Sequence, residues 1–166
     1  MPDSPDFVMG VDPGLNGGLS CISTETGQAW SIRMPKESGQ VDLDQVHNWI
    51  EHTGRVHTYI EKAQPFGRDG KKSAYTQFKN YGMLLRELQW CSDKVIEVPI
   101  PTWKNYTLSA WDEKDKDAAI SFVEDTFPDI DLYPGRCKKP HDGMADALCI
   151  AWYGLWKEGV FDQETV

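Results

Sequence analysis

The sequence predicts an α/β fold in which a five-stranded mixed sheet, three antiparallel strands followed by two parallel ones, is flanked by helices. Three observations carry this reading. A nearly continuous apolar run at residues 7–11 opens the chain and suits a central, buried strand. Two further strand-like runs follow it directly, separated by turn-forming residues. Beyond them helical and strand-like segments alternate, the order expected when helices cover a sheet.

The elements follow in chain order. Phe7–Asp12 is the first strand. The turn after it holds Pro13, Gly14, Asn16, Gly17 and Gly18, all turn formers. Residues 19–23 and 29–34 complete a three-stranded meander. Residues 41–52 read as a helix: Asp42 is its N-cap, Gln45 stands three residues on, and Val46, Trp49 and Ile50 share a face. Val56–Glu61 is the fourth strand. Residues 64–73 form a polar loop, and 74–90 a helix with Tyr81, Leu84, Leu85 and Leu88 at helical spacing. Residues 94–100 form the fifth strand, stopped by Pro99 and Pro101. Residues 116–127 make a helix with Ala119, Phe122, Val123 and Phe127 on one side, ended by Pro128. The last helix is Asp142–Lys157, with Ala145, Leu148, Trp152, Leu155 and Trp156 facing inward.

At 166 residues the chain fits one domain, 1–166, with room for a core. Its 40% hydrophobic content and 7 Trp exclude a disordered chain. No apolar stretch approaches the roughly 18 residues of a membrane span, and the first residues lack the pattern of a signal peptide, so a cytoplasmic, intracellular location is expected. Cys21, Cys91, Cys137 and Cys149 show no paired short spacing, which speaks against a zinc site and for reduced thiols. A net charge of -9 runs against nucleic-acid binding. The basic residues, however, cluster at 68–72 and 136–139, close in sequence to candidate catalytic acids.

Those acids are the chief functional signal. Asp12 and Glu61 each end an apolar strand, and Glu is a poor fit to a strand core on structural grounds alone. Asp142 and Asp146 are four apart on the last helix, so their Cβ atoms lie roughly 5–6 Å from each other on one face. Asp142 also suits a helix N-cap. Asp146, one turn further in, does not. The fold is expected to gather all four around one divalent-ion pocket. Two unit charges about 4 Å apart interact by about 4 kcal/mol at an effective dielectric near 20, so such a gathering needs cations. The chemistry implied is metal-dependent phosphoryl transfer.

The order of elements and three motifs resemble the RuvC family of Holliday-junction resolvases, within the RNase H-like fold. The motifs are Met9-Gly10-Val11-Asp12-Pro13-Gly14, Tyr59-Ile60-Glu61, and Asp142-Gly143-Met144-Ala145-Asp146-Ala147-Leu148. The segment from Gly70 to Leu88 is similar to the family's long central helix. The resemblance spans about residues 7–155. It implies that Asp12, Glu61 and Asp146 are catalytic metal ligands. In many bacterial members the fourth ligand lies three residues before the last Asp, a position held here by Gly143. Asp142, at the four-residue spacing of some organellar relatives, takes the fourth place, with His141 as the alternative.

The resemblance further implies two Mg²⁺ ions per site, replaceable by Mn²⁺, a homodimer matched to a two-fold symmetric junction, and products with 5′-phosphate and 3′-hydroxyl ends. Lys104 and Lys116 are similar to two basic residues that meet phosphates, with Lys114 competing for the second place. Phe66 stands where relatives carry a wedging aromatic, flanked by Arg68, Lys71 and Lys72. Tyr75, Phe78, Tyr81 and Leu85 either pack across a two-fold axis or belong to the core. A compact acidic form without a helicase partner domain would suit a bacteriophage-type member or one from a mobile element.

The expected function is structure-selective cleavage of four-way DNA junctions in recombination and repair. The rival readings are a broader flap and fork endonuclease, a ribonuclease H acting on RNA–DNA hybrids, and an inactive DNA-binding module. An actin-like ATPase needs two such domains, and the chain is too short for them.

Overall fold

The computed structural model describes residues 4–51, 54–64, 70–111, 115 and 117–160. The chain order is β1 (Phe7–Asp12), β2 (Gly18–Ser23), β3 (Ala29–Arg33), β4 (Lys36–Glu37), β5 (Gln40–Val41), α1 (Leu43–Ile50), β6 (Val56–Glu61), α2 (Lys71–Cys91), β7 (Lys94–Val98), α3 (Ile100–Thr107), α4 (Ala118–Thr126) and α5 (Asp142–Lys157). The main sheet has five strands in the order β3-β2-β1-β6-β7. β1 pairs antiparallel with β2, and β2 with β3, while β1–β6 and β6–β7 are parallel. This is the mixed sheet the sequence predicts.

Alternation along the strands divides the core between the two faces. Met9 and Val11 of β1 and Ile60 of β6 point to one face, where they pack with Val46 and Ile50 of α1 and Tyr81, Leu84 and Leu88 of α2. Val8 and Tyr59 point to the other, against Ala145, Leu148, Ile150 and Leu155 of α5 and Phe122 and Val123 of α4. Fully burying a side chain of this kind contributes roughly 1.5–3 kcal/mol. The Tyr59 hydroxyl donates to Glu158 at 2.7 Å and ties the end of α5 back to β6.

α5 lies against β1 at backbone contact. A Cβ on Gly10 would stand 2.0 Å from the carbonyl oxygen of Ala147 and 2.4 Å from the amide nitrogen of Ala151. A Cβ on Gly143 would stand 2.4 Å from the carbonyl oxygen of Asn16. Any side chain at either place separates helix from sheet.

Asp42 caps α1 as its sequence indicates, accepting from the Gln45 amide at 3.1 Å. Elsewhere the structure corrects the expected elements. The fifth strand stops at Val98 rather than residue 100, because Pro99 caps a helix and Pro101 lies in its first turn, where a missing N–H costs nothing. That helix, α3, is absent from the sequence reading. The small β4–β5 hairpin is also new; Ser38 and Gly39, with φ of 51° and 77°, make its two-residue turn. Asp142 is not the N-cap of α5: His141 is, its Nδ1 accepting from the Met144 amide at 3.2 Å. Among the described residues no helix is long and apolar enough to cross a membrane.

Candidate active site

Strand parity delivers two of the acids. Asp12 is four residues beyond Val8 and Glu61 two beyond Tyr59, so both carboxylates project toward the α5 face of the sheet. β1 and β6 run parallel in the register Val11–Ile60, which sets Asp12 beside Glu61 at the same sheet edge. α5 crosses that face and carries Asp146 into reach: the charges of Asp12 and Asp146 both act on Glu61, and that of Asp12 acts on Asp146. Asp142, exposed in the first turn of α5, adds its charge to Asp146.

The electrostatics mark the set as short of positive charge. Burial, then the charge of Asp12, push the Glu61 carboxyl up to about 7, and Asp146 adds to the shift. Burial and Asp12 push Asp146 up to about 6. Asp12 is also raised by burial, opposed by the Gly14 amide, which donates to its Oδ1 at 3.2 Å. Asp12 therefore closes the turn as well as facing the site. Lys104 on α3 lowers all three carboxyls and is a cation shared by the set.

The acids frame two adjoining clefts. One, of about 810 Å³, runs between Lys104 and Asn105 of α3, the start of α4, and Asp142 and Asp146 of α5. The other, of about 220 Å³, holds Asp12, Glu61, Gln77 and Tyr81. Ile100 lines both. The expected single pocket is thus wider than anticipated: no three of the four acids bring an oxygen each within 4.8 Å of one another. Unneutralised carboxylates repel, and ligands of a two-ion site are spread around centres about 3.5–4 Å apart. The all-oxygen donor set is hard and suits a divalent cation that prefers oxygen ligands.

Gly143, the position that departs from the bacterial motif, has no space for a carboxylate because the Asn16–Gly17 backbone fills it. Asp142 is the neighbouring position that can carry the charge. His141 spends its Nδ1 on capping α5 and lies within electrostatic reach of Asp142. Among the predicted DNA-contacting residues, Lys104 lies at the carboxylates, while Lys71 and Lys72 are exposed in the first turn of α2. Phe66, Arg68, Lys116 and its competitor Lys114 lie outside the described residues. Tyr81 belongs to the core; its hydroxyl donates to Glu97 at 2.6 Å, and Tyr75 and Phe78 remain exposed.

Sequence reasoning missed Trp103. Its indole is fully buried, and its Nε1 donates to Glu61 Oε2 at 3.1 Å, which lowers the Glu61 pKa and fixes the carboxylate's direction. The signal was available in Pro99 and Pro101, which mark a helix start as well as a strand end. A helix there turns Trp103 inward and leaves Lys104 against its ring, at 5.2 Å from the centroid.

No protein-family model matches the sequence, and no curated protein matches it significantly. Solved structures do match its fold. Thermus thermophilus RuvC superposes with a TM-score of 0.57 at 19% identity, over 93% of this chain and 97% of RuvC. T. thermophilus RuvC in complex with a Holliday junction substrate gives 0.59 at 17% identity, over 92% and 95%. The yeast mitochondrial Holliday junction resolvase Ydc2 gives 0.60 at 12% identity, over 92% of this chain and 79% of Ydc2. The chain has the fold of these resolvases, the RNase H-like five-stranded mixed sheet flanked by helices.

Proposed function

We propose that this protein is a structure-selective DNA endonuclease that resolves four-way junctions by metal-dependent hydrolysis, with residues 1–166 acting as one nuclease domain. The observation that carries the proposal is the meeting of Asp12, Glu61 and Asp146 on one face of this particular fold, from β1, β6 and α5. Asp12, Glu61, Asp142 and Asp146 are the residues that would hold two Mg²⁺ ions. Such ions, when bound, supply the Lewis acidity that activates water and stabilises the departing oxygen.

The chain's own residues do the rest. The carboxylates release their protons and orient as ligands. Trp103 holds Glu61 in place through its indole N–H. Lys104, in the cleft with Asp142 and Asp146, balances charge at the site and is the residue to meet the scissile phosphate. Lys71 and Lys72 at the start of α2 contact flanking phosphates. Water attacks phosphorus, the bond to the 3′ oxygen breaks, and the strand ends carry a 5′-phosphate and a 3′-hydroxyl. A homodimer presents two such sites to opposed strands, since a two-fold symmetric assembly matches a two-fold symmetric junction.

Cleavage of a mobile four-way junction with Mg²⁺, beside flap, fork, duplex and RNA–DNA hybrid controls, tests the reading. Junction cleavage should dominate. Asp146→Asn should lower the rate by roughly 10³-fold or more, with junction affinity within a few fold of the parent. Full activity in that variant sinks the site assignment, and hybrid cleavage without junction cleavage replaces the substrate.

A further inference from the structure

A second cluster of metal-type donors lies away from the carboxylates, where α1 packs on α2. His47 Nδ1 and Glu87 Oε1 are 2.7 Å apart, Cys91 Sγ lies 3.1 Å from the same imidazole nitrogen, and Sγ to Glu87 Oε1 is 3.4 Å. Among the described residues this is the one group of three such donors with all ligand atoms within 4.8 Å of one another. It sits on the sheet face opposite α5, and Cys91 is ten residues, roughly 15 Å along the helix, from Tyr81 in the active-site cleft.

We propose that His47, Glu87 and Cys91 form a structural binding site for a borderline-soft divalent cation, zinc in the first instance, that clamps α1 to α2. Several features of the arrangement support it. The donors are one imidazole, one carboxylate and one thiol, a combination that suits Zn²⁺ and ill suits Mg²⁺. Glu87 and Cys91 stand one turn apart on α2, and Glu51, the C-cap of α1, stands one turn beyond His47. Bonds of about 2.0 Å to nitrogen and oxygen and 2.3 Å to sulfur set tetrahedral neighbours roughly 3.3–3.5 Å apart, so the three atoms need open by only about half an ångström.

The fourth feature is the other ring nitrogen. His47 Nε2 faces the Glu51 carboxylate at 3.9 Å. Metal-bound imidazoles commonly direct their free N–H to a carboxylate, which fixes the tautomer and strengthens the ligand. Water takes the fourth tetrahedral position. On binding, the S–H bond of Cys91 breaks, the sulfur–metal bond forms and that proton leaves to solvent, while the proton His47 Nδ1 shares with Glu87 is given up and the ring keeps its N–H at Nε2, toward Glu51; nothing is oxidised or reduced. The cysteine spacing hides the site because a single thiol meets its partners through helix packing, not through a Cys-rich motif.

Cobalt(II) serves as the optical probe, because a thiolate ligand gives it a near-ultraviolet charge-transfer band that carboxylates alone cannot. Metal-stripped protein should develop that band with one equivalent of Co²⁺, in excess Mg²⁺ that fills the carboxylate site. Cys137→Ser, which removes the exposed thiol, should keep the band. Cys91→Ser should lose it, and Glu87→Gln and His47→Gln should weaken Co²⁺ affinity at least tenfold. Zn²⁺ should raise the thermal midpoint of the parent and not of Cys91→Ser. Absence of the band in the parent, or its survival in Cys91→Ser, overturns the proposal. A misfolded Cys91→Ser is recognised by circular dichroism, and Glu87→Gln then decides: unchanged Co²⁺ affinity there overturns the site as well.

Discussion

Glu61 and Asp146 keep their protons at pH values where an isolated carboxyl has lost them, and the cause is local. Burial takes both from water, and each also feels the charge of Asp12. The sign of the consequence follows from linkage. A carboxyl raised from 4.5 to about 7, as Glu61 is, binds more protons folded than unfolded across that interval. Its contribution to stability is complete below the unfolded value and is lost as pH rises toward 7. Asp146 repeats this between 3.8 and about 6. The thermal midpoint of the metal-free protein should therefore carry a component that falls between about pH 4 and 7. Glu61→Gln and Asp146→Asn should each flatten it, and Mg²⁺ should restore stability most at the alkaline end. A pH series of melting curves, with and without Mg²⁺, reads this directly.

Trp103 modulates the same group. Its indole hydrogen bond favours the Glu61 carboxylate, so Trp103→Phe should leave Glu61 harder to deprotonate. The acid limb of the cleavage profile should move to higher pH. Loss of the orienting bond should lower the rate by roughly 10–100-fold at neutral pH, the usual scale for partners of metal ligands. An unchanged profile would show that the indole does not set the carboxylate's direction or charge.

At the scale of elements, the contact between α5 and β1 positions the chemistry. Asp146 reaches Asp12 and Glu61 only because helix and strand meet backbone to backbone. Gly10 permits that approach from the strand, and Gly143 lets the start of α5 lie on the Asn16–Gly17 turn that follows β1. Gly10→Ala should displace α5, lowering stability by about 1–3 kcal/mol or more, the cost of overpacking where rigid backbone is the neighbour. Denaturant midpoints measure the loss, and cleavage should fall with it because the ligands separate. α3 plays the complementary part. Its start at Pro99 and Pro101 converts the end of β7 into a wall that carries Trp103 and Lys104 to the carboxylates.

For the whole molecule the difficulty is charge. Under the proposed function a body of net charge -9 has to hold a polyanion, which calls for local attraction: Lys104 beside the carboxylates, Lys71 and Lys72 at the start of α2, and bound cations. Junction binding should weaken steeply with salt, with a logarithmic slope near -0.9 per phosphate contacted on the duplex arms. Fluorescence anisotropy across a salt series, in Ca²⁺ to hold cleavage back, gives the slope. Sedimentation of the same complexes should show two protomers per junction. A slope near zero points to shape recognition without phosphate contacts and removes the role assigned to these lysines.

The sequence by itself determined the strands β1, β2, β3 and β6, the helices α1, α2, α4 and α5 and the sheet's mixed character, and it named four acids, Asp12, Glu61, Asp142 and Asp146, as candidates for one site. Those features are written in local periodicity, capping residues and turn formers, and each needs only a few neighbours to be read. Tertiary structure alone decided which carboxylates face one another, because strand parity and the α5–β1 approach act between residues far apart in the chain. The same holds for Trp103, whose value lies in reaching Glu61, and for His47, Glu87 and Cys91, which meet only when α1 packs on α2. Side-chain chemistry is encoded residue by residue, but proximity is a property of packing, and both proposed sites are made of proximity.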